Sequence, residues 1–174
     1  ETMLRTVREL RGRLPAVAAL VVRAPALGSR ARTWVERMAS AAGVSVTDEP
    51  VARALAEHNV ALTGSGTATL ECAALGVPPV TLYRTDPVTY AVARRLVRVP
   101  HVALPNLVLG RRAFPELLQG EATPRRLADA VYNVLGAHER HLAACRDVRA
   151  ALAVPLDDQT SHTRVAALLR PWLD

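Results

Sequence analysis

An α/β fold, with helices covering a parallel sheet, is predicted by three observations. Short apolar runs alternate with amphipathic helical patterns from Glu1 to Arg84. The joints between them are short and carry Gly, Pro, Ser or Thr, the spacing expected of successive βαβ units. Half of the chain is hydrophobic but only 3% is aromatic, so small and branched aliphatics must fill the core. A chain of 174 residues can bury such a core within one domain.

The elements follow in order. Met3 or Leu4, Val7 and Leu10 or Arg11 give the opening segment, Glu1 to about Arg13, a helical period that stops before Pro15. "VAALVVRAP", Val17 to Pro25, is a continuous apolar run between prolines and predicts a covered strand. "RARTWVERMASAAG" predicts a helix with Trp34, Val35, Met38 and Ala42 near one face, ended by Gly43, and "VSVT" a second strand. Pro50 to Asn59 reads as a short helix, Val60 to Leu62 as a strand, and Thr67 to Leu75 as a helix with Gly76 as its C-cap. Pro79 to Tyr83 returns the chain to a strand.

Beyond Arg84 the pattern changes. Asp86 can cap a helix with Pro87 in its first turn, an apolar face of Tyr90, Ala93, Leu96 and Val97, and a basic face of Arg94, Arg95 and Arg98. "VPHVALPNLVLGRRAFPELLQG" reads as irregular, with no more than a helical turn at Phe114 to Leu118. Thr123 and Pro124 mark a helix start, with Leu127, Val131 and Leu135 spaced at four. "AHERHLAACRDVRAALA" and "TSHTRVAALLRPWL" give two further helices around the polar loop "PLDDQT".

A formal charge of +6, carried by arginine with no lysine, attracts anions of several kinds: nucleic acid, anionic lipid or phosphorylated metabolites. Dispersed arginines and few aromatic platforms argue against nucleic acid. Cys72 and Cys145 are far apart in helical sequence, without metal-ligand spacing, and read as reduced structural thiols. His138 and His141 share a helix but lack a fixed third ligand, so no metal is expected. No apolar run is long enough for a transmembrane helix, and no signal peptide is recognisable.

The densest polar cluster, "TGSGT" at Thr63 to Thr67, lies between a strand and a helix. Gly64 and Gly66 allow close turns there, and Ser65 and Thr67 can cap the helix or donate to an anion at its N-terminus. Read locally, the cluster favours a structural turn, because it lacks both the full dinucleotide fingerprint and a Walker lysine. Glu71, four residues past Thr67, suits ribose hydroxyls better than phosphate, which it would repel.

Linked motifs sharpen this reading. Ser65-Gly66-Thr67-Ala68-Thr69-Leu70-Glu71, Tyr83-Arg84, Pro87-Val88-Thr89-Tyr90, Ala93-Arg94-Arg95-Leu96-Val97, Leu104-Pro105-Asn106-Leu107, Gly110-Arg111 and Pro115-Glu116-Leu117-Leu118-Gln119 occur in this order. Together they resemble the C-terminal half of lipid-A-disaccharide synthase, an inverting glycosyltransferase of GT-B architecture. The resemblance runs from Leu62 to about Val131, with a looser match elsewhere. It implies a single Rossmann-like nucleotide-sugar-binding domain over residues 1–174, including C-terminal helices in 123–174.

The resemblance implies UDP-2,3-diacylglucosamine as donor, 2,3-diacylglucosamine 1-phosphate (lipid X) as acceptor, and no cofactor. Ser65, Gly66 and Thr67 would sit at the donor diphosphate and Glu71 at the ribose. Arg84, Asn106, Arg111, Glu116 and Gln119 are candidate cleft residues. The N-terminal domain expected to carry the catalytic base, and the family's "PGSR" loop, fall outside this sequence; "LGSR" at Leu27 to Arg30 follows the wrong strand to replace that loop. The expected partners are therefore the acylated UDP-sugar, that N-terminal domain and an anionic membrane surface on the cytoplasmic face of the inner membrane. The C-terminal helices fit their own sheet, the missing domain or exchange in a homodimer equally well.

Other residues read both ways. Arg84, Arg94, Arg95, Arg98, Arg111 and Arg112 suit a basic rim, a solvated helix face explains Arg94 and Arg98 equally well, Arg111 is the better site residue, and His101 suits a place behind the cleft. Tyr83, Tyr90 and Phe114 suit core packing better than a donor wall, while Asp157 and Asp158 read as solvent-facing. A non-catalytic UDP-sugar-binding or interaction domain, and a transferase for another UDP-sugar, are the competing functions.

Overall fold

The chain is described from a computed structural model covering residues 1–86, 90 and 100–153. Helix α1 spans Thr2–Arg11, strand β1 Leu20–Val22, α2 Ser29–Ala41, β2 Ser45–Thr47, α3 Val51–Leu55, β3 Ala61–Gly64, α4 Thr67–Ala74 and β4 Pro79–Tyr83. Then come α5, Leu104–Leu109, β5, Glu116–Leu118, a 3-10 turn at Gln119–Glu121, α6, Pro124–Gly136, and α7, His138–Leu152. The expected basic-faced helix beyond Pro87, apart from Tyr90, lies outside the described residues. So do Asp157, Asp158 and the last helix.

The strands form two parallel sheets, β1-β2 and β3-β4-β5. Parallel neighbours need a crossover, and α4 supplies it between β3 and β4. The register places Gly64 beside Leu82, and Tyr83 beside Leu118. The carboxyl ends of β3, β4 and β5 therefore share one edge, and the residues that follow each strand emerge there.

Packing follows the apolar periods. Val80 and Leu117 from the sheet meet Leu10 of α1 and Leu127, Ala128, Val131 and Val134 of α6 in one buried cluster. A second cluster joins Ala73 of α4 to Ala144, Cys145 and Val148 of α7 around Phe114. Thr123 caps α6 by accepting from Arg126 N–H at 3.3 Å, with Pro124 in the first turn where no N–H is needed. Burial pushes the thiols of both Cys72 and Cys145 up to about 11, leaving them as unreactive packing groups.

Arginines finish two helices across the fold. Arg11 of α1 donates to the carbonyls of Ala42 and Gly43 at 2.6 and 2.7 Å, beyond the last turn of α2. Arg149 Nε of α7 donates to Ala74 O at 2.9 Å. Each cation meets orphan carbonyls at the negative end of a helix. Arg11 is thus a cap rather than part of an apolar stripe.

Three expectations are corrected. Glu116–Leu118 is a strand paired with β4, not a helical turn. Leu104–Leu109 is helical although it contains Pro105, because that proline lies in the first turn. Trp34 is 44% exposed, and the buried residue of α2 is Ala39.

Candidate functional site

Three loops follow the carboxyl ends of β3, β4 and β5. In the first, Ser65 N–H donates to Leu82 O at 3.2 Å, continuing the ladder past Gly64. The chain then reverses through Gly66, whose φ of 137° lies in a region that L side chains rarely adopt, and enters α4 at Thr67. Thr69 Oγ1 donates back to Gly66 O at 2.7 Å, while no side chain caps the helix. Gly66, Thr67 and Glu71 are exposed and Ser65 is half-buried, so the turn, the helix N-terminus and the carboxylate one turn later all face outward.

The second and third loops hold each other. Arg84 Nε donates to Gln119 O at 3.2 Å, and Thr85 N–H donates to Gln119 Oε1 at 3.1 Å. With Tyr90 and Gly120 these residues line an open cleft of about 370 Å³. Tyr90 N–H donates to Asp86 O at 3.0 Å. The fold thus gathers Arg84, Tyr90 and Gln119, which are separate in sequence. Thr85 and Gly120 also line the cleft; their signal was adjacency to Arg84 and Gln119.

Asn106 and Glu116 meet in the interior. Asn106 is fully buried and Glu116 is 6% exposed. Asn106 Nδ2 donates to Glu116 Oε1 at 2.7 Å and to Phe114 O at 2.9 Å, while its Oδ1 accepts from Ala113 and Phe114 N–H, both at 2.9 Å. Glu116 also accepts from Val102 N–H at 3.1 Å and Ala103 N–H at 2.9 Å. Every polar atom of both side chains is engaged, which is what a buried carboxylate requires. The pair ties the start of α5 to the start of β5.

Arg111 lies elsewhere, in an exposed ion pair with Asp147 of α7 at 2.7 Å. Arg112 donates to Glu116 O at 2.8 Å, bracing the start of β5. Phe114 is a core residue, 1% exposed. His141 meets Ala113 O at 3.2 Å, and burial holds its pKa below the usual histidine value. His138 meets Asn59 O at 3.1 Å, and His101 is half-buried beside the Glu116 network.

A parallel α/β sheet whose polar loops collect at its carboxyl edge defines a Rossmann-like domain. The chain matches the lipid-A-disaccharide synthetase family over residues 1–164, and it belongs to that family. It is 38% identical to the lipid-A-disaccharide synthase of Anaeromyxobacter sp. (strain K), over 88% of this chain and 41% of the relative. It is also 38% identical to that of Neisseria meningitidis serogroup C, over 90% of this chain and 41% of the relative. With the synthase of Gluconobacter oxydans the identity is 46%, over 59% of this chain and 26% of the relative. The chain therefore spans about two fifths of the length of its long-matching relatives. Among the described residues no helix is long and apolar enough to cross a membrane.

Proposed function

We propose that this chain is the donor-binding part of a lipid-A-disaccharide synthase, a GT-B glycosyltransferase that moves 2,3-diacylglucosamine from UDP to 2,3-diacylglucosamine 1-phosphate. One observation carries the reading: the turn at Ser65 to Thr67, the Arg84 loop and the Gln119 turn lie side by side along one sheet edge. A nucleotide-sugar laid across that edge would place its diphosphate at the amino end of α4. There the backbone amides and the helix dipole favour negative charge. Glu71, one turn further along α4, is within the reach expected of a group accepting ribose hydroxyls.

Catalysis at such a site is chiefly electrostatic. Negative charge grows on the departing UDP as the glycosidic bond breaks, and fixed amides, the Thr67 hydroxyl and the Arg84 guanidinium would stabilise it there. Inversion at the sugar carbon requires an acceptor hydroxyl attacking from the opposite face, deprotonated by a base within hydrogen-bond reach. That base is assigned to the part of the synthase outside this chain, so this chain alone would bind donor without turning it over. The acyl chains of both substrates give the whole enzyme a reason to rest on the inner face of the inner membrane. A homodimer also belongs to this proposal.

The test is titration of UDP and UDP-sugar into the chain and its Glu71→Gln variant. Removing the carboxylate charge should weaken both ligands about tenfold, the scale of one charge-assisted hydrogen bond. Unchanged affinity in a folded variant removes Glu71 from the ribose site.

A further inference from the structure

We propose that β1 and β3 form the two walls of a docking site for one further parallel strand, supplied by the stretch of the longer synthase joined to the amino end of α1. The site is a property of the sheet, independent of which ligand the carboxyl edge binds.

The five strands are all parallel, yet they fall into two sheets, in which β1 pairs only with β2 and β3 only with β4. Along a parallel strand, successive residues turn their N–H and C=O groups to opposite sides. Arg23 N–H donates to Thr47 O at 3.0 Å, and Ala61 and Ser65 N–H donate to Pro78 O and Leu82 O at 3.0 and 3.2 Å. Odd-numbered residues therefore serve the existing ladders in both strands. The backbone groups of Leu20 and Val22 on β1, and of Leu62 and Gly64 on β3, face the open sides.

All four residues are half-buried. Among the described residues, one bond reaches these groups, from Thr63 Oγ1 to Gly64 O at 3.3 Å. An unpaired backbone group shielded from water costs about 1 kcal/mol or more, so two facing rows of them favour a shared partner. Sheet edges meant for solvent are blunted by charge or proline, and neither Leu20–Val22 nor Ala61–Gly64 contains either.

Two helices hold the open edges toward each other. α3 packs on β1, and its Leu55 belongs to the cluster that Ala61 of β3 joins. Leu62, the next residue of β3, points to the opposite face, into the cluster that contains Leu10 of α1. Arg11 of α1 also holds the end of α2, just before β2. Both half-sheets are thus clasped between α1 and α3.

The connections select the occupant. One strand set between β1 and β3 gives the order β2-β1-strand-β3-β4-β5, the doubly wound arrangement, in which that central strand comes first in the chain. A right-handed crossover from it to β1 puts α1 on the face that α2 covers. α1 does lie against α2, where Leu4 and Arg8 share a groove with Met38 and Ala41. The chain covers 41% of its long-matching relatives, so a member of their full length has ample sequence for such a strand.

The experiment is amide hydrogen exchange, followed by NMR, on this chain and on the chain prolonged by the roughly twenty residues encoded ahead of Glu1, enough for a strand and its loop. The control is the same prolongation with proline at the centre of its apolar run, where a central strand cannot hold it. Circular dichroism reports folding and sedimentation the oligomeric state. In the monomeric chain, exchange should be fast at Leu20, Val22, Leu62 and Gly64 and slow at Val21 and Thr63. In the prolonged chain, protection at the four open-edge amides should rise about tenfold or more, and in the proline control it should not. Unchanged exchange in a folded prolonged chain overturns the inference, as does equal protection in the proline control. Slow exchange at the four amides in the unprolonged chain also overturns it, by closure of β1 on β3 in a monomer or by a second copy in a dimer. A failure of UDP to bind leaves the strand site standing and bears on the donor-binding reading alone.

Discussion

Asn106 shows how a polar residue of a short helix can act without facing solvent. Its carboxamide satisfies two backbone N–H groups, one carbonyl and Glu116 at once. Replacing it by alanine strands those groups and leaves a buried carboxylate short of a donor. We expect Asn106→Ala to lower unfolding free energy by about 3 kcal/mol, measured in urea. A loss below about 1 kcal/mol would mean that water replaces the side chain at little cost. Gly66 makes the complementary case. A Cβ there meets nothing within 4 Å, so the barrier to substitution is its φ of 137° and not crowding. Gly66→Val should cost about 1–3 kcal/mol and remove diphosphate affinity as the turn re-forms. Retained UDP binding in a folded variant would count against an amide cradle.

At the scale of elements, legibility followed the strength of the local signal. The helix at Pro124–Gly136 was readable because Thr123, Pro124 and an unbroken apolar stripe agree. Thr123→Ala should cost about 1 kcal/mol in a thermal or urea melt, the value of one N-cap. No comparable signal marks β5. It is three residues long, follows a proline, and exists because β4 offers it a ladder. The period of α2 placed Trp34 on the inner face on hydrophobicity alone, yet the small Ala39 is what the neighbouring surface accommodates. Of the site, the glycine turn and Glu71 were visible in the sequence. The contact between Arg84 and Gln119 was not, because 34 residues separate Thr85 from its partner.

The β1-β2 end of the fold carries its own electrostatic device. Arg23, just past β1, pairs with Asp48, just past β2, and with Glu36 of α2, while Arg32 reaches Asp48 at 2.9 Å. The hydrogen bond from Arg23 is the main cause that holds Asp48 below its ordinary value of 3.8. A depressed carboxylate contributes stability above its unfolded value and loses it as pH falls through the folded one. Melting temperature should therefore fall more steeply below about pH 4 in the wild type than in Asp48→Asn. Parallel curves for the two proteins would show that the exposed cluster is screened to no net effect.

For the whole molecule, family membership and the edge-wise arrangement of loops point in the same direction. The family match identifies the relatives, and the sheet explains why motifs spread from Ser65 to Gln119 can meet one extended ligand. An arginine-rich surface with net charge +6 adds a general attraction for anions, which by itself selects no ligand. Selectivity for the base is the property that separates a donor site from that background. The direct measurement is calorimetric titration of the folded chain with UDP, with ADP as comparison at the same ionic strength. The account predicts saturable UDP binding at least tenfold tighter than ADP, a difference of about 1.4 kcal/mol. Equal affinity for the two nucleotides, or no binding of UDP to a folded sample, would contradict the assignment of this chain as a UDP-sugar donor domain.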